Sequence, residues 1–160
     1  MNDPATVAAG RIATGAAAAA AGPAAGPVDP GRVTGWLADL FAPWVQALRL
    51  APVEVRPGEV VLSLPFDAAL SRVGGTLCGQ ALVSAVDTAM VLAVLAQLGE
   101  FRPLTTANMN ASFLRAIAGG DARVHARVIK PGRTLTFCEA TIAGADGKPA
   151  VHATATYAML

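Results

Sequence analysis

The chain has 160 residues, with 12 Lys+Arg against 11 Asp+Glu and a formal net charge of +1. That is material for one domain of ordinary size, and only 14% of it is charged, too little for a partner held through nucleic-acid phosphates. With 54% hydrophobic residues and a mean hydropathy of +0.50 the chain as a whole is not disordered, although Ala supplies much of that figure and aromatics only 5%.

Residues 1–31 stand apart. After Thr14 the stretch to Pro27 is all Ala, Gly and Pro with no large apolar side chain, and Gly22-Pro23 and Gly26-Pro27 interrupt any long helix. Such a segment has no face to bury against its ordering entropy, so a disordered tail is expected over 1–31 and a folded domain over 32–160. A secretory signal needs a basic start and a Leu-rich run, whereas this stretch has Asp3, Arg11 and alanines. Cys78 and Cys138 are far apart and form no disulfide framework. Two lone thiols fit a reducing compartment, and the expected location is cytoplasmic.

From Thr34 onward Trp36, Leu37, Leu40, Phe41, Trp44, Val45 and Leu48 recur at three- and four-residue steps, the spacing of an apolar helix face. Pro43 divides this face into two short pieces or kinks it. Val53–Val55 and Val60–Leu64 flank Arg56-Pro57-Gly58-Glu59, the pattern of a hairpin or bulged strand. Asp67–Gly75 reads as a loop.

Gln80–Leu98 contains neither Gly nor Pro, and Gly99 follows as a helix stop. Its length is nearly that of a membrane span, but Asp87 lies near its middle and Gln80, Ser84 and Thr88 in its first half. A buried central helix is apolar on every side in the same way, and no membrane partner is expected. Four strand-like runs follow at Thr105–Ala116, Ala122–Val128, Thr134–Ile142 and Val151–Met159. Asp146-Gly147-Lys148 is the turn before the last. The gaps are too short for helices, so an antiparallel meander is expected. The only element able to cover its apolar face is the helix over 80–98. The fold class is therefore α+β, a sheet wrapped around one helix.

Asp87 does not fit a purely structural account. A carboxylate inside an apolar helix loses hydration and must find a partner, change its protonation or face a wet pocket. Two readings stand side by side: a structural Asp bonded to an amide or paired with an Arg, and a catalytic one. Gly74-Gly75-Thr76-Leu77-Cys78-Gly79 leads into the helix. The first-turn amides there have no carbonyl partners and favour negative charge, and a Gly at the boundary lets a ligand oxygen approach the backbone.

Gly75-Thr76-Leu77-Cys78-Gly79-Gln80 and Ala85-Val86-Asp87-Thr88-Ala89-Met90 resemble the hotdog-fold acyl-CoA thioesterases of the phenylacetate-degradation type. So do Phe113-Leu114-Arg115, Gly132-Arg133, Asp146-Gly147-Lys148 and Ala153-Thr154-Ala155-Thr156-Tyr157, in order over roughly residues 44–160. The resemblance implies a hotdog fold, dimers joined sheet edge to sheet edge, a homodimer or homotetramer, and active sites at the dimer interface. It makes Asp87 the general base or nucleophile, Gly79 the residue whose amide polarises the thioester carbonyl, and Thr106 a hydroxyl that helps place water. It sets Lys130 and Arg133 near the coenzyme A phosphates, where two solvated turn cations are the plain alternative. Cys78 and Gln80, on either side of Gly79, fall in the substrate-binding turn. The implied substrate is an acyl- or aryl-CoA thioester, and no cofactor is implied.

Two departures stand out. Where such enzymes have His-Gly-Gly this chain has Cys78-Gly79-Gln80, and where they commonly have Asn it has Arg72. Arg72 has three readings: pairing with Asp87, which weakens it as a base, holding an acidic acyl group, or holding a phosphate. Cys78 is either a small buried thiol or a nucleophile at a helix N-terminus. His125, between Arg123 and Arg127 on an alternating strand, reads as a surface residue, and His152 has no neighbour of a metal-binding spacing. Besides hydrolysis, a non-catalytic acyl-CoA-binding module and a hotdog hydratase or dehydratase remain as alternatives.

Overall fold

The computed structural model describes residues 28–160. The expected tail lies outside the described residues as far as residue 27; its last four residues join the domain. Val28 is buried, and the Asp29 side chain accepts from the Arg32 amide at 2.8 Å to cap the first helix. Helix α1 (Pro30–Asp39) starts with Pro at its first turn, where the missing N–H costs nothing, and buries Val33 and Trp36. Pro43 opens the short α2 (Pro43–Gln46) instead of kinking one helix. Gln46 joins the two by donating to the carbonyls of Ala38 and Phe41 at 2.8 and 2.7 Å.

Strands β1 (Ala51–Arg56) and β2 (Glu59–Leu64) form the expected hairpin, turned at Pro57-Gly58 with Gly58 at φ 74°, which a side chain would resist. The stretch read as a loop carries more order than its composition suggests. Asp67 caps a single 3-10 turn at Ala68–Leu70, and β3 (Ser71–Arg72) pairs with β4 (Thr76–Leu77) around Gly74 and Gly75 at φ 98° and 70°.

Helix α3 (Gly79–Leu98) follows, closed by Gly99 at φ 72° with its amide on the Leu95 carbonyl at 2.8 Å. By length and mean hydropathy (1.9) it matches a membrane span, yet 67% of its most apolar window is buried in the protein. It packs on the inner sheet face: Val60, Leu62 and Leu64 of β2, Ala122, Val124 and Ala126 of β6 (Ala122–Lys130), Cys138, Ala140 and Ile142 of β7 (Leu135–Ala143), and Val151, Ala153 and Ala155 of β8 (Pro149–Met159). The many alanines on both surfaces let backbone approach backbone, which explains how so few aromatics make a dry core. Leu95 is fully buried in that core. Leu95→Ala is expected to lower unfolding free energy by about 3 kcal/mol in urea titration without changing secondary structure.

The sheet corrects one expectation. Its order is β1-β2-β6-β7-β8-β5, antiparallel throughout, so only β6–β8 form a meander. The strand after the helix, β5 (Leu104–Phe113), pairs with β8 and not with β6. The reason is competition for an edge: β2 occupies the free side of β6, register Leu62↔Val124, and leaves β8 as the open edge where the helix delivers the chain. The result is a twisted sheet curled about one helix, with β5 as an edge strand.

Candidate active site

Asp87 lies half-buried on the side of α3 that faces β5 and β8. Its Oδ1 accepts two hydroxyl hydrogen bonds, from Thr106 Oγ1 at 3.1 Å and from the Tyr157 hydroxyl at 2.8 Å. The Tyr157 hydroxyl also lies 3.2 Å from the Asp87 carbonyl. Tyr157 is fully buried. Burial first, and then the Asp87 charge and hydrogen bond, push its phenol well above the ordinary tyrosine range, so it stays a protonated donor. The buried Cys138 thiol is pushed up to about 12 by burial and is inert.

Thr106 reaches Asp87 because of an irregularity that alternation hides. Along β5, Asn108, Asn110 and Ser112 oppose Thr156, Thr154 and His152 on the outer sheet face, as period two requires. Thr106 belongs by count to that same polar set. A bulge at Ala107 inserts one residue, and Thr106 pairs instead with the inward Tyr157. One extra residue in an edge strand thus turns a hydroxyl from solvent to the central carboxylate.

The second candidate feature is the start of α3. Cys78 is the N-cap, with φ −74° and ψ 150°, and its side chain makes no capping hydrogen bond. The Leu82 amide returns to the Cys78 carbonyl at 3.2 Å as the first helical bond, so the amides of Gly79, Gln80 and Ala81 lead the helix without intrahelical acceptors. Cys78 is half-buried and bonds through its own amide to the Leu70 carbonyl, while Gln80 is exposed. A Cβ on Gly79 would stand 3.3 Å from Cζ of Phe113, whose ring lies across this turn although 54% exposed.

These features do not meet within one chain. Gly79 and Asp87 are eight residues apart, or ~12 Å along an α-helix, whereas a site using both would need the amide ~3 Å from an oxyanion and the carboxylate no more than one water away from the same reacting carbon. Arg72 does not pair with Asp87. It sits exposed on β3, its guanidinium 3.4 Å from the Val73 carbonyl, because the β3–β4 turn carries it outward. Lys130 and Arg133 are exposed at the β6–β7 turn. That turn lies at the Asp87 end of the sheet: Thr136 opposes Tyr157, and Thr136 Oγ1 is 3.4 Å from the Gly132 amide. His125 and His152 sit on the outer face beside Glu59 (2.6 Å) and Glu139 (3.6 Å). Neither of two concavities reaches Asp87 or Gly79. One of about 240 Å³ lies among Leu37, Phe41, Val45 and Pro52, and one of about 310 Å³ among Arg115, Ile117, Gly144 and Lys148.

Tyr157 and Phe113 were assigned no role from the sequence. Tyr157 carried a signal: it is the single tyrosine, in phase with small inward residues, and a buried phenol needs a partner. Phe113 carried none, since its contact with Gly79 joins segments far apart in the chain.

A family model described as the acyl-CoA thioesterase N-terminal domain matches residues 62–158. Among solved structures, a conserved protein of Pseudomonas aeruginosa superposes with a TM-score of 0.71 at 31% identity, over 76% of this chain and 96% of that one. A thioesterase family protein of Silicibacter pomeroyi gives 0.71 at 29%, over 80% and 98%. A hypothetical thioesterase of Streptococcus pneumoniae, crystallised with coenzyme A, gives 0.67 at 19%, over 72% and 90%, a likeness of fold.

Proposed function

This chain belongs to the hotdog-fold acyl-CoA thioesterase family, and from that premise we propose that it hydrolyses acyl- or aryl-CoA thioesters at sites shared by two copies. The observation that carries the proposal is the placement of Asp87: a half-buried carboxylate in an apolar helix, with two hydroxyls on one oxygen, facing an edge strand.

The second copy follows from the ~12 Å between Gly79 and Asp87 and from the open edge of β5. That edge leaves backbone donors and acceptors unpaired, and most of the strand is exposed. Antiparallel pairing of β5 with its own copy is isologous and closes as a dimer. Thr106 and Phe113 mark opposite ends of β5, so a two-fold axis near Met109 and Asn110 brings the Phe113 end of one strand beside the Thr106 end of the other. Phe113 carries the Gly79 turn with it, and Thr106 is bonded to Asp87. Each Gly79 amide then faces the partner's Asp87 across the shared edge.

In the proposed reaction the thioester carbonyl oxygen lies at the Gly79 amide, where the helix N-terminus stabilises the developing oxyanion. Asp87 takes a proton from water as it attacks the carbonyl carbon, and the tetrahedral intermediate expels the coenzyme A thiolate. Lys130 and Arg133, at the Asp87 end of the sheet, supply positive charge for the nucleotide phosphates. Arg72, unpaired with Asp87 of its own chain, is the proposed contact for an acidic acyl group or a further phosphate. A carboxylate on the central helix supports the phenylacetate-degradation type. Purified protein assayed against a panel of CoA esters with thiol detection is expected to release coenzyme A. Ester binding by calorimetry with no thiol release would overturn hydrolysis and leave a binding module.

A further inference from the structure

We infer that Tyr157 is a positioning residue for the Asp87 carboxylate: with Thr106 it holds Oδ1 and thereby leaves Oδ2 as the oxygen that takes the proton. The inference rests on the hydrolytic reading above and concerns a residue outside the catalytic set derived there. Both donors, Tyr157 at 2.8 Å and Thr106 at 3.1 Å, converge on Oδ1, and no donor among the described residues engages Oδ2. Tyr157 is fully buried in β8, so its ring cannot swing away, and its hydroxyl is braced against the Asp87 carbonyl at 3.2 Å. Thr106, by contrast, rides on an edge strand at a bulge. The rigid donor is therefore the tyrosine. Two hydrogen bonds to one oxygen fix the carboxylate plane and draw charge to Oδ1, while the other oxygen keeps its lone pairs for water.

The charged and titratable surroundings of this pair are few. Within one chain, among the described residues, no Lys, Arg or His stands within ion-pair distance of Asp87, and the other titratable group acting on Tyr157 is the protonated Cys138 of β7. Donors to a carboxylate favour its ionised form, so removing one moves the acid limb of activity to higher pH, and strengthening one moves it to lower pH.

The test uses two opposite changes. Tyr157→Phe keeps the ring and removes the donor. It is expected to lower kcat about tenfold with KM within about twofold, and to move the acid limb of kcat/KM to higher pH. Growth on meta-fluorotyrosine labels Tyr157 alone, because it is the single tyrosine, and strengthens the phenol as a donor. The acid limb is then expected to move to lower pH. Limbs that stay in place, or move together, overturn the inference, since a packing role cannot give shifts of opposite sign. Fluorine NMR of the labelled protein supplies a reading independent of turnover and of the Phe variant's folding. Its resonance should move on Asp87→Asn, which changes the charge that the Tyr157 hydroxyl donates to. An unresponsive resonance overturns the contact itself. A responsive one in a protein that hydrolyses no thioester would refute the catalytic role and the hydrolytic reading while leaving the hydrogen bond standing.

Discussion

Asp87→Asn is expected to lower kcat by about 10²–10⁴-fold, the range a positioned general base supplies, with KM little changed. Asn is the informative substitution. It keeps an oxygen where Oδ1 accepts from Thr106 and Tyr157, so the buried phenol is not orphaned. Ala would remove that acceptor and leave the Tyr157 hydroxyl unpaired in the core, a cost of about 1–3 kcal/mol that would blur loss of chemistry with loss of fold. The measurement is steady-state hydrolysis of the best CoA ester, beside thermal unfolding of both proteins. Equal turnover by the two would remove Asp87 from the mechanism. A fall in activity that merely tracks unfolding would do the same.

The parts of this site differed in how far the sequence reveals them. Asp87 was visible because one charge in twenty helical residues breaks a pattern, and the wrapped helix because no other element can cover the sheet. The β5–β8 pairing was not visible. Alternation tells a strand which face is apolar and says nothing about which edge it joins; in the structure β2 fills the edge of β6, and β5 joins β8. The inward turn of Thr106 was also hidden, since a bulge inverts the phase that alternation assumes. Family likeness alone singled out Thr106, and the bulge is the physical reason it touches Asp87. The proposed Arg72–Asp87 pair failed for a similar cause. Opposite charges fifteen positions apart do not by themselves make a pair: within one chain Arg72 lies exposed on the β3–β4 hairpin, its guanidinium 3.4 Å from the Val73 carbonyl.

Mixing two inactive variants tests the shared site most directly. Gly79→Pro is expected to cost about 10²–10³-fold in kcat, because it deletes the one amide assigned to the oxyanion. The first helical position tolerates Pro, and the extended backbone of Cys78 (φ −74°, ψ 150°) suits the residue before one. The exposed Phe113 ring must give by a few tenths of an ångström to admit the new Cβ. In a dimer of one Gly79→Pro chain and one Asp87→Asn chain, sites built across the interface sort unequally. One site collects both lesions and the other collects none. Statistical re-association of equal amounts makes half the dimers mixed, so about a quarter of wild-type activity should return from two nearly dead proteins. A site contained in one chain predicts no recovery, because every site would then carry a lesion. The same mixture made with a β5 that cannot pair, such as Ala111→Pro in both chains, should recover nothing and should run at monomer mass in light scattering: the Leu114 amide bonds to Ala150 of β8, so by alternation the Ala111 amide faces the open edge, and Pro removes that donor. Full recovery there would show that the chains meet somewhere other than this edge.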